Sequence, residues 1–426
     1  MKMCSPHINL FAWFICSLGA LFYSYEYLLR IMPSVMTVEL AQTYQIQAAA
    51  LGNLAAIYYY VYTPMQLPAG ILMDRYGPRF LLTIAALCCA IGTYFFVLTS
   101  SLLVAGTGRF LVGLGSAFAF VGVLKLATIW LPLRYFALFA GLTTTLGVIG
   151  AMTGNIGLTI IQEHLGWRTT VEGAALIGIV LAMAIGFFVR DQNPAKKAGE
   201  HPRATSLKEA GLGFINIIKN PRMWMVGLIG TLLYIPTSAF AELWGTPYLK
   251  SVLHFSPREA AIAVSMIFLG WAIGSPLAGW ISDYLQRRRY PLICGALAAA
   301  FLISIVLYCP GLPKFAVNAI FLLFGIVSSV EVLVFAVGRE ISSSHASGSA
   351  IAFTNMMVMM GGVIFQPLIG VILDWHWNGV TDVNGLQVFR PIDYQIALTA
   401  LPLGLLLAAT LAFFFKEKPL SQSHCH

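Results

Sequence analysis

Long apolar runs separated by short polar breaks extend along nearly the whole chain. A helix needs about 20 predominantly apolar residues to cross a bilayer. Twelve runs have this length, at residues 8–32, 48–72, 80–99, 102–127, 136–161, 169–189, 223–249, 259–281, 290–309, 315–337, 348–373 and 394–415. The pattern therefore predicts an all-α polytopic membrane protein with twelve transmembrane helices.

The composition supports this interpretation and excludes several classes of protein. Hydrophobic residues make up 58% of the chain, charged residues only 10%, and the mean hydropathy is +0.80. A soluble protein of this composition would expose far too much apolar surface to water. The sequence contains no nucleotide-binding glycine loop, no nucleophile arrangement and no metal-ligand spacing among its seven cysteines. We therefore expect neither enzyme activity nor a cofactor or metal.

The positive charge is distributed unevenly between the two sides of the predicted membrane. The net charge is +8, and 17 loop Lys and Arg residues fall on the side of the N-terminus against 5 on the other. Basic residues accumulate on the cytoplasmic side. We therefore expect both termini in the cytoplasm, and a basic surface that faces anionic lipid and not nucleic acid. The sequence has no Asn-x-Ser/Thr acceptor and its predicted external loops are short, which favours a bacterial inner membrane.

A polar stretch between the second and third runs, Gly70-Ile-Leu-Met-Asp74-Arg75-Tyr-Gly77-Pro78-Arg79, has a partial copy later in the chain. Gly279 and Asp283 follow Gly70 and Asp74 at the same offset of 209 residues. The copy keeps a basic cluster but lacks the internal glycine. The repeat predicts two six-helix halves, residues 1–190 and 223–426, joined by a cytoplasmic linker at 191–222.

This stretch resembles the signature loop of the major facilitator superfamily. Arg109, four residues before Gly113-Leu-Gly115, is similar to a second signature of that family. The resemblance implies two pseudo-symmetric six-helix bundles and a loop that latches them in one conformation. The latch residues would be Gly70, Asp74, Arg75, Gly77, Arg79, Gly279 and Asp283. We expect Asp74 to accept hydrogen bonds from the start of a neighbouring helix; an ordinary positive-inside loop is the alternative.

Ionisable residues deep in the spans are the main candidates for a functional site. Glu26, Arg109, Glu242 and Glu331 fall in spans 1, 4, 7 and 10, which the resemblance implies line a central cavity. Such groups are costly in a membrane unless they face protein or water. Further candidates for the cavity wall are Arg30, Tyr59, Tyr62, Trp244 and Asn355. Because Glu26 and Arg30 are four residues apart on one helix, a purely structural ion pair is the alternative.

All eight histidines fall outside the spans, so any proton relay must use carboxylates. A glutamate in apolar surroundings can bind a proton on one side and release it on the other. The favoured coupling pair is Glu26 with Arg109, while Glu242 and Glu331 face substrate or act as second couplers. A cavity with both signs of charge suits an amino acid or dipeptide; a neutral solute such as a nucleoside also fits.

The sequence thus predicts a monomeric, proton-coupled importer of a small polar solute that works by alternating access. The run Tyr25-Glu26-Tyr27 and the segment 243–249 are similar to bacterial phagosomal nutrient importers and to the branch with a lysosomal dipeptide transporter. One alternative is an exporter of drug, siderophore or metabolite, although span 5 lacks the Gly-Pro step usual in drug exporters. Another is a non-transporting nutrient sensor. The loop 374–393 has no predicted role.

Overall fold

The computed structural model describes residues 10–192, 215–309, 311–342, 347–415 and 417. Within these ranges the chain is helical apart from one isolated β-bridge between Thr381 and Gln387. The α-helices are α1 Leu10–Val35, α2 Thr37–Tyr44, α3 Ala48–Tyr76, α4 Pro78–Leu98, α5 Leu102–Ser116, α6 Ala119–Trp130, α7 Leu133–Met152, α8 Leu158–Leu165, α9 Trp167–Phe188, α10 Pro221–Ile235, α11 Gly245–Ser251, α12 Pro257–Tyr284, α13 Arg289–Tyr308, α14 Lys314–Ser328, α15 Leu333–Glu340, α16 Ser347–His376, α17 Pro391–Leu398 and α18 Ala400–Phe414.

The predicted transmembrane helices are confirmed. Ten continuous helical segments among the described residues are long and apolar enough to cross a membrane. The two other predicted spans form α1 and α3, which are 26 and 29 residues long. These two helices are more polar because they carry the buried tyrosines and charges of the candidate site. The protein is therefore an all-α integral membrane protein.

Among the described residues, three spans contain turns of π-helix or 3-10 helix that the hydropathy pattern does not predict. A π-helix covers Thr153–Gly157, another covers Pro236–Trp244, and a 3-10 turn covers Ser329–Val332. In the second case Pro236 has no backbone N–H to continue the ladder. Such turns leave carbonyl groups free for other partners and frequently mark functional sites. Glu242 and Glu331 both lie within them.

The most extensive helix contact among the described residues joins α3 and α16, which run antiparallel and come from the first and last thirds of the sequence. Near one end, the carboxylate of Asp374 accepts hydrogen bonds from the backbone N–H groups of Ala48 and Ala49, at 3.2 and 2.8 Å. Further along, Asn355 Nδ2 donates to Gln66 Oε1 at 2.9 Å. The contact holds the first and last parts of the chain together. The division at 1–190 and 223–426 stays a prediction, and most of the linker, 193–214, lies outside the described residues.

Candidate substrate-binding site

Four buried charged side chains lie near one another between the helices and form what we call the charge cluster: Glu26, Arg30, Arg109 and Glu242. All four are buried, with at most 2% of each residue exposed. The first two lie on α1, Arg109 on α5 and Glu242 on the π-helix that follows α10. Three of the four residues that the sequence places deep in the spans thus come together with Arg30.

Arg30 is the centre of the charge cluster. Its Nη2 donates to Glu26 Oε1 at 2.8 Å, and its Nε donates to the hydroxyl of Tyr58 at 3.1 Å. The same hydroxyl donates to Glu26 Oε2 at 3.2 Å. The remaining terminal nitrogen, Nη1, lies 3.8 Å from Glu242 Oε1 and has no hydrogen-bond partner among the described residues. The i, i+4 ion pair predicted as the structural alternative for Glu26 is therefore present.

Glu242 connects the charge cluster to a second group of tyrosines. Its Oε2 accepts a hydrogen bond from the hydroxyl of Tyr59, and its Oε1 accepts one from Tyr234 at 3.4 Å. Both hydroxyls donate, so both stabilise the ionised form of the carboxylate. Since Tyr59 lies on α3 and Tyr234 on α10, Glu242 links the two halves of the sequence.

The guanidinium group of Arg109 bonds to backbone carbonyls and to neither carboxylate, so the predicted pair of Glu26 with Arg109 is not in direct contact. Its Nη1 donates to the carbonyl of Leu29 at 3.0 Å, and its Nη2 donates to that of Ala55 at 3.1 Å. The carbonyl of Leu29 is free because Pro33, four residues later, has no N–H to donate to it. Among the described residues Arg109 forms no ion pair, and its Nε has no hydrogen-bond partner.

Aromatic rings enclose the guanidinium group of Arg30. Its central carbon lies 4.3 Å from the ring centre of Tyr27 and 5.3 Å from the rings of Tyr58 and Tyr62. The rings of Tyr58 and Tyr62 are stacked at 5.3 Å. Cation–π contacts of this kind are strengthened where water is excluded. The predicted residues Tyr59 and Tyr62 thus both contact the charge cluster.

Sequence reasoning missed Tyr27, Tyr58 and Tyr234. Tyr58 could have been found, because it lies four residues before Tyr62 and so shares its helix face. Tyr27 is three residues before Arg30, so the two side chains are neighbours on the surface of α1. Tyr234 is eight residues before Glu242, and the π-helix between them removes the ordinary helical register.

Three other predicted residues lie outside the charge cluster. The indole N–H of Trp244 donates to the carbonyl of Gln366 at 2.9 Å and so joins the π-helix Pro236–Trp244 to α16. Asn355 bonds to Gln66 within the α3–α16 contact. Glu331 is buried in the 3-10 turn, where its Oε1 has no hydrogen-bond partner.

Comparison with protein families settles the class of the chain. The family model described as Major Facilitator Superfamily matches residues 13–366 and 245–423. The chain belongs to the Major Facilitator Superfamily. Its fold agrees with the crystal structure of a bacterial homologue of the human lysosomal transporter Spinster in an inward-facing and unoccupied conformation. The TM-score is 0.80 over 95% of this chain and 97% of the other, at 16% sequence identity.

Several curated proteins are similar to this chain along most of their length. The membrane sensor protein UhpC of Escherichia coli is 25% identical over 394 residues, which cover 88% of this chain and 87% of UhpC. The probable sulfoacetate transporter SauU of Cupriavidus necator is 24% identical over 387 residues, or 84% and 87% of the two chains. A probable hexose phosphate transport protein of Chlamydia trachomatis is 23% identical over 370 residues, 78% of each.

The superfamily signature loop has a definite geometry in this chain. Asp74 Oδ1 pairs with Lys125 Nζ at 2.6 Å, where a helix start was expected as its partner. Gly77 joins α3 to α4 with φ of 81°, a conformation that favours glycine. The backbone N–H of Arg79 donates to Asp191 Oδ1 at 2.8 Å, and its Nε donates to the carbonyl of Gly186 at 2.9 Å.

The remaining predicted latch residues surround this geometry. Arg75 is exposed, in keeping with a place at the lipid headgroups. A Cβ added to Gly70 or Gly279 would meet no atom within 4 Å. Asp283 Oδ1 pairs with Arg288 Nη1 at 2.5 Å, in the basic cluster of the partial copy. A latching role for these residues stays a prediction.

Proposed function

We propose that the protein is a secondary transporter that imports a small organic anion, coupled to protons, and that Arg30 binds the anionic group. The proposal depends on which side-chain atoms of the charge cluster have no hydrogen-bond partner. Within the charge cluster, the polar atoms without a hydrogen-bond partner among the described residues are Arg30 Nη1 and Arg109 Nε, both N–H donors. The carboxylate oxygens of Glu26 and Glu242 all have partners. The cluster is therefore equipped to receive an acceptor, and an anion is the strongest acceptor available.

The chemistry of the guanidinium group defines the class of anion. Its planar array of N–H donors matches phosphate, sulfonate and carboxylate groups, and it is less strongly hydrated than an ammonium group. The relatives named for sulfoacetate and hexose phosphate transport suggest the same class. None of the relatives described above is named for an amino acid or a peptide, so we propose an organic anion in place of the expected zwitterion.

The charge cluster offers a way to connect anion binding to movement of the two halves. Arg30 Nη1 has Glu242 as its neighbour at 3.8 Å, and these residues come from different halves of the sequence. An anion bound at Nη1 takes the place of Glu242 beside the guanidinium group. Tyr59 and Tyr234 can keep their hydrogen bonds to the displaced carboxylate. Binding thus weakens an attraction between the halves, which alternating access requires.

A second candidate is a sensor that binds the anion without transporting it. The specific observation in its favour is the similarity to UhpC, a protein named as a membrane sensor. A sensor and a transporter can share the binding site and the fold. They differ in whether bound anion is released on the other side of the membrane.

Uptake into proteoliposomes tests the proposal. The purified protein is reconstituted and supplied with labelled hexose phosphates, sulfoacetate, dicarboxylates, amino acids and dipeptides, with and without an inward proton gradient. We expect accumulation of one of the anions, which an uncoupler abolishes. Accumulation of amino acids or dipeptides alone would contradict the organic-anion assignment. Saturable binding of an anion in detergent, with no uptake and no exchange, would favour the sensor.

A further inference from the structure

Glu331 is a deeply buried carboxyl group that the charge cluster does not use. It lies in the 3-10 turn Ser329–Val332 between α14 and α15, and 2% of the residue is exposed. In the part of the chain that the structure describes, its Oε1 has no hydrogen-bond partner. No Lys, Arg or His among the described residues lies within ion-pair distance of it.

The other buried carboxylates of the described residues are paired, which sets Glu331 apart. Glu26, Glu242 and Asp393 each have a cation within 4 Å. Burial is therefore compensated at Glu26 and Glu242 by a guanidinium group and tyrosine hydroxyls, but it is not compensated at Glu331.

The helices packed against the 3-10 turn supply no counter-charge. These are α10, α12, α13, α14 and α15. Their charged and titratable residues are Arg222, Tyr234, Arg258, Glu259, Asp283, Tyr284, Arg289, Tyr290, Cys294, Tyr308, Lys314, Arg339 and Glu340. Among the contacts of the described residues none of them bonds to Glu331. Tyr234 donates to Glu242, Lys314 pairs with Glu259, and Cys294 is exposed.

An ionised carboxylate in such surroundings is strongly unfavourable, whereas the protonated acid is not. We infer that Glu331 is the proton-binding site of the transport cycle and that it holds its proton in this conformation. The inference rests on the proposed function, and it gives Glu26 and Glu242 a different task from the one predicted. They hold the guanidinium group of Arg30 in place, while Glu331 binds the proton from water on one side and releases it to water on the other.

The fold connects Glu331 to the charge cluster. The 3-10 turn packs against α10, which continues directly into the π-helix that carries Glu242. Three residues after Glu331, Val334 packs closely against Gly230 on α10. Movement of the π-helix when an anion displaces Glu242 therefore reaches the 3-10 turn through one packed helix. This supplies a physical route by which anion binding and proton release influence each other.

Two measurements on the full-length protein test the inference. In Glu331→Gln the amide imitates the protonated acid, so we expect anion exchange across proteoliposomes to persist while accumulation driven by a proton gradient falls at least tenfold. The matched control is Glu172→Gln, because Glu172 is exposed on α9 and should leave both activities unchanged. Wild-type transport with gradient-driven accumulation intact in Glu331→Gln would overturn the inference and leave the proposed function standing.

The second measurement does not depend on transport. A protonated carboxyl group without hydrogen bonds gives a distinct carbonyl band in the infrared spectrum of the reconstituted protein. We expect this band at neutral pH in the wild type and in Glu172→Gln, and its loss in Glu331→Gln. A wild-type spectrum without the band, or a band that survives in Glu331→Gln, would show that Glu331 is not protonated here. Either result overturns the inference whether or not an anion is transported.

Discussion

Arg30 Nη1 and Glu242 Oε1 face each other at 3.8 Å across the two halves of the sequence, close enough to attract but without a hydrogen bond. Arg30 and Glu242 each form hydrogen bonds to other residues but not to one another. Arg30 is bound to Glu26 and Tyr58, and Glu242 to Tyr59 and Tyr234. The weak contact between them is the place where we expect a substrate anion to enter.

Neutralising Glu242 should strengthen anion binding. In Glu242→Gln the competing carboxylate beside Arg30 is lost and the charge cluster gains one net positive charge. We expect an anion to bind on the order of tenfold more tightly, about 1.4 kcal/mol, and to be transported more slowly. Binding is measured by calorimetry in detergent and transport in proteoliposomes. Weaker binding than in the wild type would contradict competition for Arg30, and Glu172→Gln is the control for loss of a carboxylate elsewhere.

The adjacent residues Tyr59 and Tyr60 provide a matched pair of hydroxyl deletions. Tyr59 is fully buried and donates to Glu242, whereas Tyr60 is 41% exposed and donates to Asn53 at 2.9 Å. Tyr59→Phe leaves a buried carboxylate short of a donor, so we expect a loss of about 1–3 kcal/mol in the free energy of unfolding. Tyr60→Phe should change it by less than about 0.5 kcal/mol. Thermal unfolding in detergent compares the two, and equal effects would show that the hydroxyl of Tyr59 is not essential to the cluster.

Asp374 should fasten the ends of α3 and α16 that are predicted to be external. Its carboxylate caps the free N–H groups of Ala48 and Ala49, and Gln387 Oε1 accepts from Ala48 at 3.3 Å. Loss of a side-chain cap costs about 0.5–2 kcal/mol. In Asp374→Ala we expect faster hydrogen exchange at the start of α3, measured by mass spectrometry. The control is Asp382→Ala, because Asp382 bonds only within its own loop, to Asn384 and Leu386. Unchanged exchange in Asp374→Ala would show that the cap does not hold these ends together.

If the loop latches the two bundles, Asp74 should matter more for transport than its partner Lys125. The Asp74–Lys125 pair is partly exposed, so its loss should cost less than about 1 kcal/mol. If Asp74 also serves in another conformation, Asp74→Asn should slow anion exchange several-fold, while Lys125→Gln should leave the rate close to that of the wild type. Equal exchange rates in the two variants would show that Asp74 acts only through its ion pair with Lys125.

The sequence predicted the helices well because a span is a local property. Each run of apolar residues is long enough to identify its helix without knowledge of the neighbours. The i, i+4 pair of Glu26 and Arg30 was predictable for the same reason. The positions of four ionisable residues within these runs were enough to place them deep in the spans; they are Glu26, Arg109, Glu242 and Glu331.

The partners of these residues could not be predicted, because they depend on contacts between distant helices. The direction of Arg109 follows from the carbonyl of Leu29 that Pro33 leaves free on another helix. Contact of Tyr59 with Glu242 depends on how α3 packs against the π-helix, and the π-helix itself was not apparent from hydropathy. The isolation of Glu331 could be recognised only once the neighbours of the 3-10 turn were known.

In the proposed function, Arg30 binds the anionic group of the substrate. The most direct test is equilibrium exchange of a labelled anion in proteoliposomes with wild type, Arg30→Lys, Arg30→Gln and the exposed control Arg168→Gln. We predict exchange in the wild type and in Arg168→Gln, a loss of at least tenfold in Arg30→Lys, and no exchange in Arg30→Gln that keeps the fold in thermal unfolding. Exchange at the wild-type rate in a folded Arg30→Gln protein would contradict the account.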